Sequence, residues 1–94
     1  MMTALPERET LISDLKAMIV QECDKGDVNP ADIPDDMALI GEGLELDSLD
    51  ALQISLAVKE RYKVRIEGGP DGRRAMASTA ALADFIIEAR AAGA

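Results

Sequence analysis

A small all-α fold, three substantial helices and one short one packed as a four-helix bundle, is what this sequence predicts, and three features carry the prediction. Apolar residues recur at spacings of three and four near both ends of the chain, which gathers them on single helix faces. A central run, Ser48 to Tyr62, contains neither Gly nor Pro and is rich in good helix formers. No segment alternates apolar and polar side chains as a half-buried strand would.

The first helix is expected over residues 6–22, with Leu11, Ile12, Leu15, Met18 and Ile19 on its buried face. Pro6 suits a first turn, where its missing N–H is not needed, and Glu7 and Glu9 favour the positive end of the helix dipole. Gly26, Pro30, Pro34, Gly41 and Gly43 interrupt any regular pattern over residues 24–45, so a long loop joins helices one and two. Loops of that length are functional or pinned by local contacts, and Val28, Ile33, Met37, Leu39, Ile40 and Leu44 can pin this one. The second helix is expected over Ser48–Tyr62, with Asp47 as N-cap and Asp50 placed as the acidic partner of a capping box. Ser48 is then the first residue inside the helix. Residues 67–72 read as a turn cluster, after which residues 73–77 have room for one helical turn. Ser78 or Thr79 can cap a last helix bearing Leu82, Phe85, Ile86 and Ala89, with residues 91–94 expected to fray.

The chain's 94 residues fit one domain, residues 1–94, with an ordered core expected over about 6–90. A domain of this size buries roughly 60–65% of the surface its unfolded chain exposes, which leaves little room for a deep catalytic cleft. Eighteen Asp and Glu against 10 Lys and Arg give a formal charge of −8, and a field of that sign repels nucleic acid and anionic lipid. Basic protein surfaces are the natural counterpart. The imbalance is local: residues 20–50 hold ten acidic residues against Lys25 alone, whereas residues 59–74 hold six basic and three acidic. The single cysteine, Cys23, permits no intrachain disulfide, and no apolar run nears the roughly 20 residues that cross a bilayer. With no leader pattern in the first ten residues, a cytoplasmic location without membrane insertion is expected.

Histidine is absent, which removes Ser–His and Cys–His catalysis and the commonest metal ligand. A Ser–Lys arrangement would have to work without a deep pocket, so the chain reads as a non-enzyme with no catalytic residue. The acidic loop fails as a calcium-binding EF-hand: counted from Asp24, the third position is Gly26, the sixth is Asn29 where glycine is required, and the twelfth is Asp35 rather than glutamate. It reads as a solvated loop with no metal site. Gly41-Glu42-Gly43 is too short for a nucleotide fingerprint and reads as a flexible hinge. Cys23, beside the apolar face of helix one with no cation adjacent in sequence, reads as a small buried side chain.

The informative stretch is GLELDSLDALQ, Gly43 to Gln53. It resembles the modification motif of the acyl carrier protein family, phosphopantetheine-binding carrier proteins in which Asp-Ser-Leu opens the second helix. The helix before it, the acidic loop, Asp50, the run Tyr62-Lys63-Val64-Arg65-Ile66 and the closing Ser78-Thr79 helix with Leu82-Ala83-Asp84-Phe85-Ile86 follow in family order. The resemblance spans about residues 7–89. It implies a 4'-phosphopantetheine arm attached covalently to Ser48, flanked by Asp47 and Leu49, that carries acyl groups as thioesters for fatty acid, polyketide or related lipid synthesis. The implied partners are a phosphopantetheinyl transferase and acyl-loading, condensing and other acyl-processing enzymes with basic docking surfaces, met by a monomer. A peptidyl or aminoacyl carrier protein would share the fold and the serine, and an unmodified acidic helical adaptor is the reading from another class. Departures from the family pattern are Gln53 and Lys59, where glutamates are frequent, and the Arg73-Arg74 pair.

The motif also has a physical logic of its own. A phosphodiester on Ser48 would lie at a helix N-terminus, where unpaired N–H groups and the helix dipole stabilise negative charge. Asp47 and Asp50 oppose it, which is expected to keep an arm outward and mobile. Helical spacing divides helix two into a core face with Ala51, Ile54, Val58 and Tyr62 and a second face with Leu49, Leu52, Leu56 and Lys59. Leu49, Leu52, Gln53 and Leu56 are therefore the candidate partner-binding residues, with Asp47 and Asp50 steering the approach.

Overall fold

The computed structural model describes residues 5–40, 43, 44 and 46–93, and over these the chain is all-helical, with four α-helices, one 3₁₀ turn and no strand. Helix α1, Arg8–Glu22, buries Leu11, Ile12, Leu15, Met18 and Ile19, the face its periodicity marks. It starts two residues later than expected. The first helical bond runs from the Leu11 N–H to the Glu7 carbonyl at 2.8 Å, so Glu7 is the N-cap and Pro6 precedes the helix.

The connection from α1 to α2 is pinned along its length. A 3₁₀ turn, Pro30–Asp32, is capped by the Asn29 side chain, which accepts from the Ala31 N–H at 3.0 Å. The Asp35 carbonyl accepts from the Ala80 N–H and the Thr79 hydroxyl, tying the loop to the last helix. Ile33, Leu39 and Leu44 are buried and Val28 and Met37 half-buried, as a pinned loop requires. Ile40 departs from the expectation at 46% exposed, and Leu46 is buried instead. The cause is extended backbone: Ile40 and Leu46 form an isolated parallel bridge, and neighbours on an extended chain point to opposite sides, so Leu39 takes the core and Ile40 does not. Gly43 is a close-approach residue rather than a hinge, because a Cβ there would sit 1.8 Å from the Ala38 carbonyl oxygen. Gly41 and Glu42, the rest of that expected hinge, lie outside the described residues.

Helix α2, Ser48–Tyr62, buries Ile54, Ala57 and Val58, with Ala51 and Tyr62 half-buried on the same side. It closes at Lys63, whose left-handed conformation (φ 59°) lets its N–H reach the Lys59 carbonyl. Helix α3, Pro70–Ala75, begins inside the segment expected to be a turn. Gly69 takes φ 89°, open to glycine alone without strain, and Pro70 at N1 has the fixed φ and missing N–H that suit a first turn. Ser78 caps α4, Thr79–Ala91, its hydroxyl accepting from the Ala81 N–H at 3.1 Å. Ala91 is thus helical rather than frayed, and Ala94 lies outside the described residues.

α1 packs against both α2 and α4, and α3 against α4, around one continuous apolar core. The radius of gyration, 12.2 Å, matches the roughly 12 Å expected of a folded chain of this length. No helix among the described residues is long and apolar enough to cross a membrane.

Candidate functional site

Asp47 and Asp50 lock the start of α2 by a reciprocal capping box. The Asp50 N–H donates to the Asp47 carboxylate at 2.9 Å and the Asp47 N–H donates to the Asp50 carboxylate at 3.1 Å. The α1 end is fastened to the same turn, since the Cys23 thiol donates to the Asp50 carbonyl at 3.8 Å. This fixes where the first residue of the helix points.

That residue is Ser48, exposed at N1, and its hydroxyl makes no hydrogen bond among the described residues. The other serines differ. The Ser55 hydroxyl is committed to the Ala51 carbonyl at 3.0 Å, Ser78 is buried as the α4 cap, and Ser13 lies in the middle of α1. The capping box occupies the Asp50 N–H, which leaves the Ser48 and Leu49 N–H groups, ahead of the first intrahelical bond, to favour a negative group at this end.

Beside Ser48 runs an exposed apolar stripe: Leu49 is 71% exposed, Leu52 55% and Leu56 51%. Gln53 is exposed within it, while Ile54 on the opposite face is fully buried. Three leucines flanked by carboxylates form an exposed apolar patch with a polar rim, outside the core. A groove of about 720 Å³ borders the stripe at Gln53 and Leu56 and is edged by Lys59, Lys63 and Arg65 together with Glu22 and Glu60. The stripe therefore has carboxylates at the Ser48 end and a mixed, net basic lining at the far end.

A second groove, of about 360 Å³, opens directly at Ser48 and lies between α2 and α3. Ala51, Leu52 and Ser55 line its α2 side, and Gly72, Arg73 and Met76 its α3 side. Ile40 and Ile66 add apolar surface from the connections. Sequence reasoning missed this groove. It depends on the exposed placement of Ile40 and on the early start of α3, and the one local signal was the Arg73-Arg74 pair.

Cys23 is buried, and burial, reinforced by the negative charge of Asp50, pushes its thiol up to about 11. It is a packed side chain rather than a nucleophile at neutral pH. No cluster of three or more His, Cys, Asp or Glu among the described residues is arranged to hold a metal ion. No family model matches this chain.

Proposed function

We propose that this chain is a carrier protein of the acyl class, in which a phosphopantetheine arm on Ser48 holds acyl groups as thioesters for other enzymes. The observation that carries the reading is Ser48 itself: an exposed, uncommitted hydroxyl at the first position of a firmly capped helix. The residues fit the group. Exposure gives a transferase access, the Ser48 and Leu49 N–H groups face the end where a phosphodiester would sit, and the adjacent surface is open. In the loading step the Ser48 oxygen bonds to phosphorus as the phosphoanhydride bond to the nucleotide half of coenzyme A breaks, and the serine proton leaves. Asp47 and Leu49 flank the attachment point.

Partners are proposed to dock on Leu49, Leu52, Gln53 and Leu56, with Asp47 and Asp50 steering basic enzyme surfaces toward the arm. Lys59 places a like charge toward such surfaces and weakens docking to the most basic of them. The lipid-synthetic setting and the preference for acyl over peptidyl or aminoacyl cargo rest on the resemblance around Leu46-Asp47-Ser48-Leu49-Asp50. An unmodified adaptor would use the same leucine stripe, and modification separates the two. Incubation with coenzyme A, magnesium and a broad-specificity phosphopantetheinyl transferase is expected to add one arm by intact mass, and Ser48→Ala to abolish the addition with helical content unchanged. Persistence of the addition in that variant, or its appearance at Ser13, Ser55 or Ser78, overturns the assignment.

A further inference from the structure

The last turn of α2 and the chain just past it carry the opposite charge from the end at Ser48. Residues 59–65 hold four basic side chains, Lys59, Arg61, Lys63 and Arg65, against Glu60 alone, and all five are exposed. None of the four cations forms an ion pair among the described residues. The helix dipole accounts for Lys59 and Arg61, which lie in the last turn, but its effect fades beyond that turn and does not account for Arg65. Nor does the cap require Lys63, which takes φ 59°, a left-handed position that glycine fills with less strain. We propose that the groove edged by Lys59, Lys63 and Arg65 is a second docking pole, which takes an acidic segment of a partner protein whose carboxylates flank an apolar side chain. The inference goes beyond the Ser48 reading, since it does not require Ser48 to be modified.

Shape, charge and reach support this occupant. At about 720 Å³ the groove has room for several side chains rather than one small anion, and Leu56 and Ala57 give it apolar surface beside the cations. Lys59, Lys63 and Arg65 complement carboxylates, while Glu22 and Glu60 in the same lining confine the attraction to the cationic edge and so orient the segment. A nucleic acid fits less well. The net charge of −8 repels a phosphate backbone, and Tyr62, the chain's one tyrosine, is half-buried against the core rather than offered for base stacking. At a helical rise of about 1.5 Å per residue, Lys59 lies about 16 Å along α2 from Ser48, roughly twice the Debye length of about 8 Å at 0.15 M salt. The two poles therefore act separately, and a partner that is basic near Asp47 and Asp50 and acidic near Lys63 and Arg65 is held in one direction along the helix.

The test is an amide NMR titration of the unloaded chain, at about 0.15 M salt, with three probes: a terminally blocked amphipathic peptide of leucine and glutamate, its counterpart with lysine in place of glutamate, and a short oligothymidylate. The glutamate peptide is expected to give saturable shifts at Gln53, Leu56, Ala57 and Lys63, and the lysine peptide to leave those four amides in place. Lys63→Asn, which suits the left-handed cap, and Arg65→Gln should each weaken the glutamate peptide by about two- to fivefold, the range an exposed ion pair commands. Arg73→Gln removes an exposed cation outside the groove and should leave that affinity unchanged. Should Lys63→Asn unsettle the end of α2, Arg65→Gln decides. No saturable shift in the groove, equal binding of the two peptides there, indifference to the loss of the groove cations, or a preference for the oligothymidylate overturns the acidic-segment pole. Each of these leaves the Ser48 assignment standing, because the titration uses the unloaded chain and the mass test reads attachment alone.

Discussion

Leu56 and Ile54 sit two positions apart on α2 and face different media: Leu56 is 51% exposed and Ile54 not exposed at all. Truncating a buried aliphatic side chain removes transfer free energy and leaves a cavity, whereas truncating an exposed one does neither in full. Ile54→Ala is therefore expected to lose about 2–5 kcal/mol of stability and Leu56→Ala less than about 1 kcal/mol, read from urea denaturation. Under the proposed function, Leu56→Ala also slows acyl transfer with a cognate enzyme. A large stability loss would return Leu56 to the core, and unchanged transfer would remove it from the docking surface. At this scale the sequence was informative where a side chain's role depends on its own helix. Helical spacing separated Leu49, Leu52 and Leu56 from Ile54 and Val58, and the resemblance around Asp47-Ser48-Leu49 made Ser48 the candidate attachment point. It was silent where the role depends on the path of a loop. Ile40 looks like any other apolar residue until the Ile40–Leu46 bridge sets its direction, and Gly43 looks like a hinge until the Ala38 carbonyl is found 1.8 Å from its missing Cβ.

Caps and packing, rather than propensity alone, set the limits of the elements. α2 was legible to the residue because its boundaries are chemical: a capping box opens it and a left-handed Lys63 closes it. α3 was shortened in the reading because Gly69, Pro70 and Gly72 signal a turn, yet at a helix entrance the first two are the residues that permit the helix. Its placement against α4 comes from packing that no local pattern encodes. The capping box yields a prediction of its own. Asp47→Ala should cost about 0.5–2 kcal/mol, while Asp47→Asn, which caps about as well, should recover most of the loss. The two variants remove the same charge, so equal destabilisation in urea would show that charge and not the cap governs the start of α2. A further tie between elements, Arg8 to Asp84 at 2.8 Å, joins α1 to α4 and holds the Asp84 carboxyl below its usual range. Its stabilisation is present above the ordinary carboxylate pKa and is lost as pH falls through the depressed one. Both partners are half exposed, so solvent screens the pair and its contribution is small.

For the whole molecule the governing quantity is the charge of −8 on a body measuring 36 × 27 × 20 Å. The Debye length is about 30 Å at 0.01 M salt and about 8 Å at 0.15 M. At the lower concentration nearly every pair of carboxylates feels the other across the fold, and at the higher one only near neighbours do. Salt also weakens attractive pairs, among the described residues Arg8 with Asp84, Lys16 with Asp35 and Arg74 with Asp71 for example. Exposed pairs contribute little individually, and close contacts are screened least. Repulsion among the ten acidic residues between positions 20 and 50, opposed there by Lys25 alone, is long-range and is screened first. The thermal midpoint is therefore expected to rise from 0.01 to about 0.15 M salt and to flatten above it, where screening has little repulsion left to remove. Because no metal cluster is arranged among the described residues, magnesium and sodium chlorides at equal ionic strength should give closely similar curves. Calorimetry at neutral pH across that range checks both statements. A midpoint that is flat or falls with salt would mean that attractive pairs outweigh the acidic loop, and a separate rise with magnesium would reveal a bound cation.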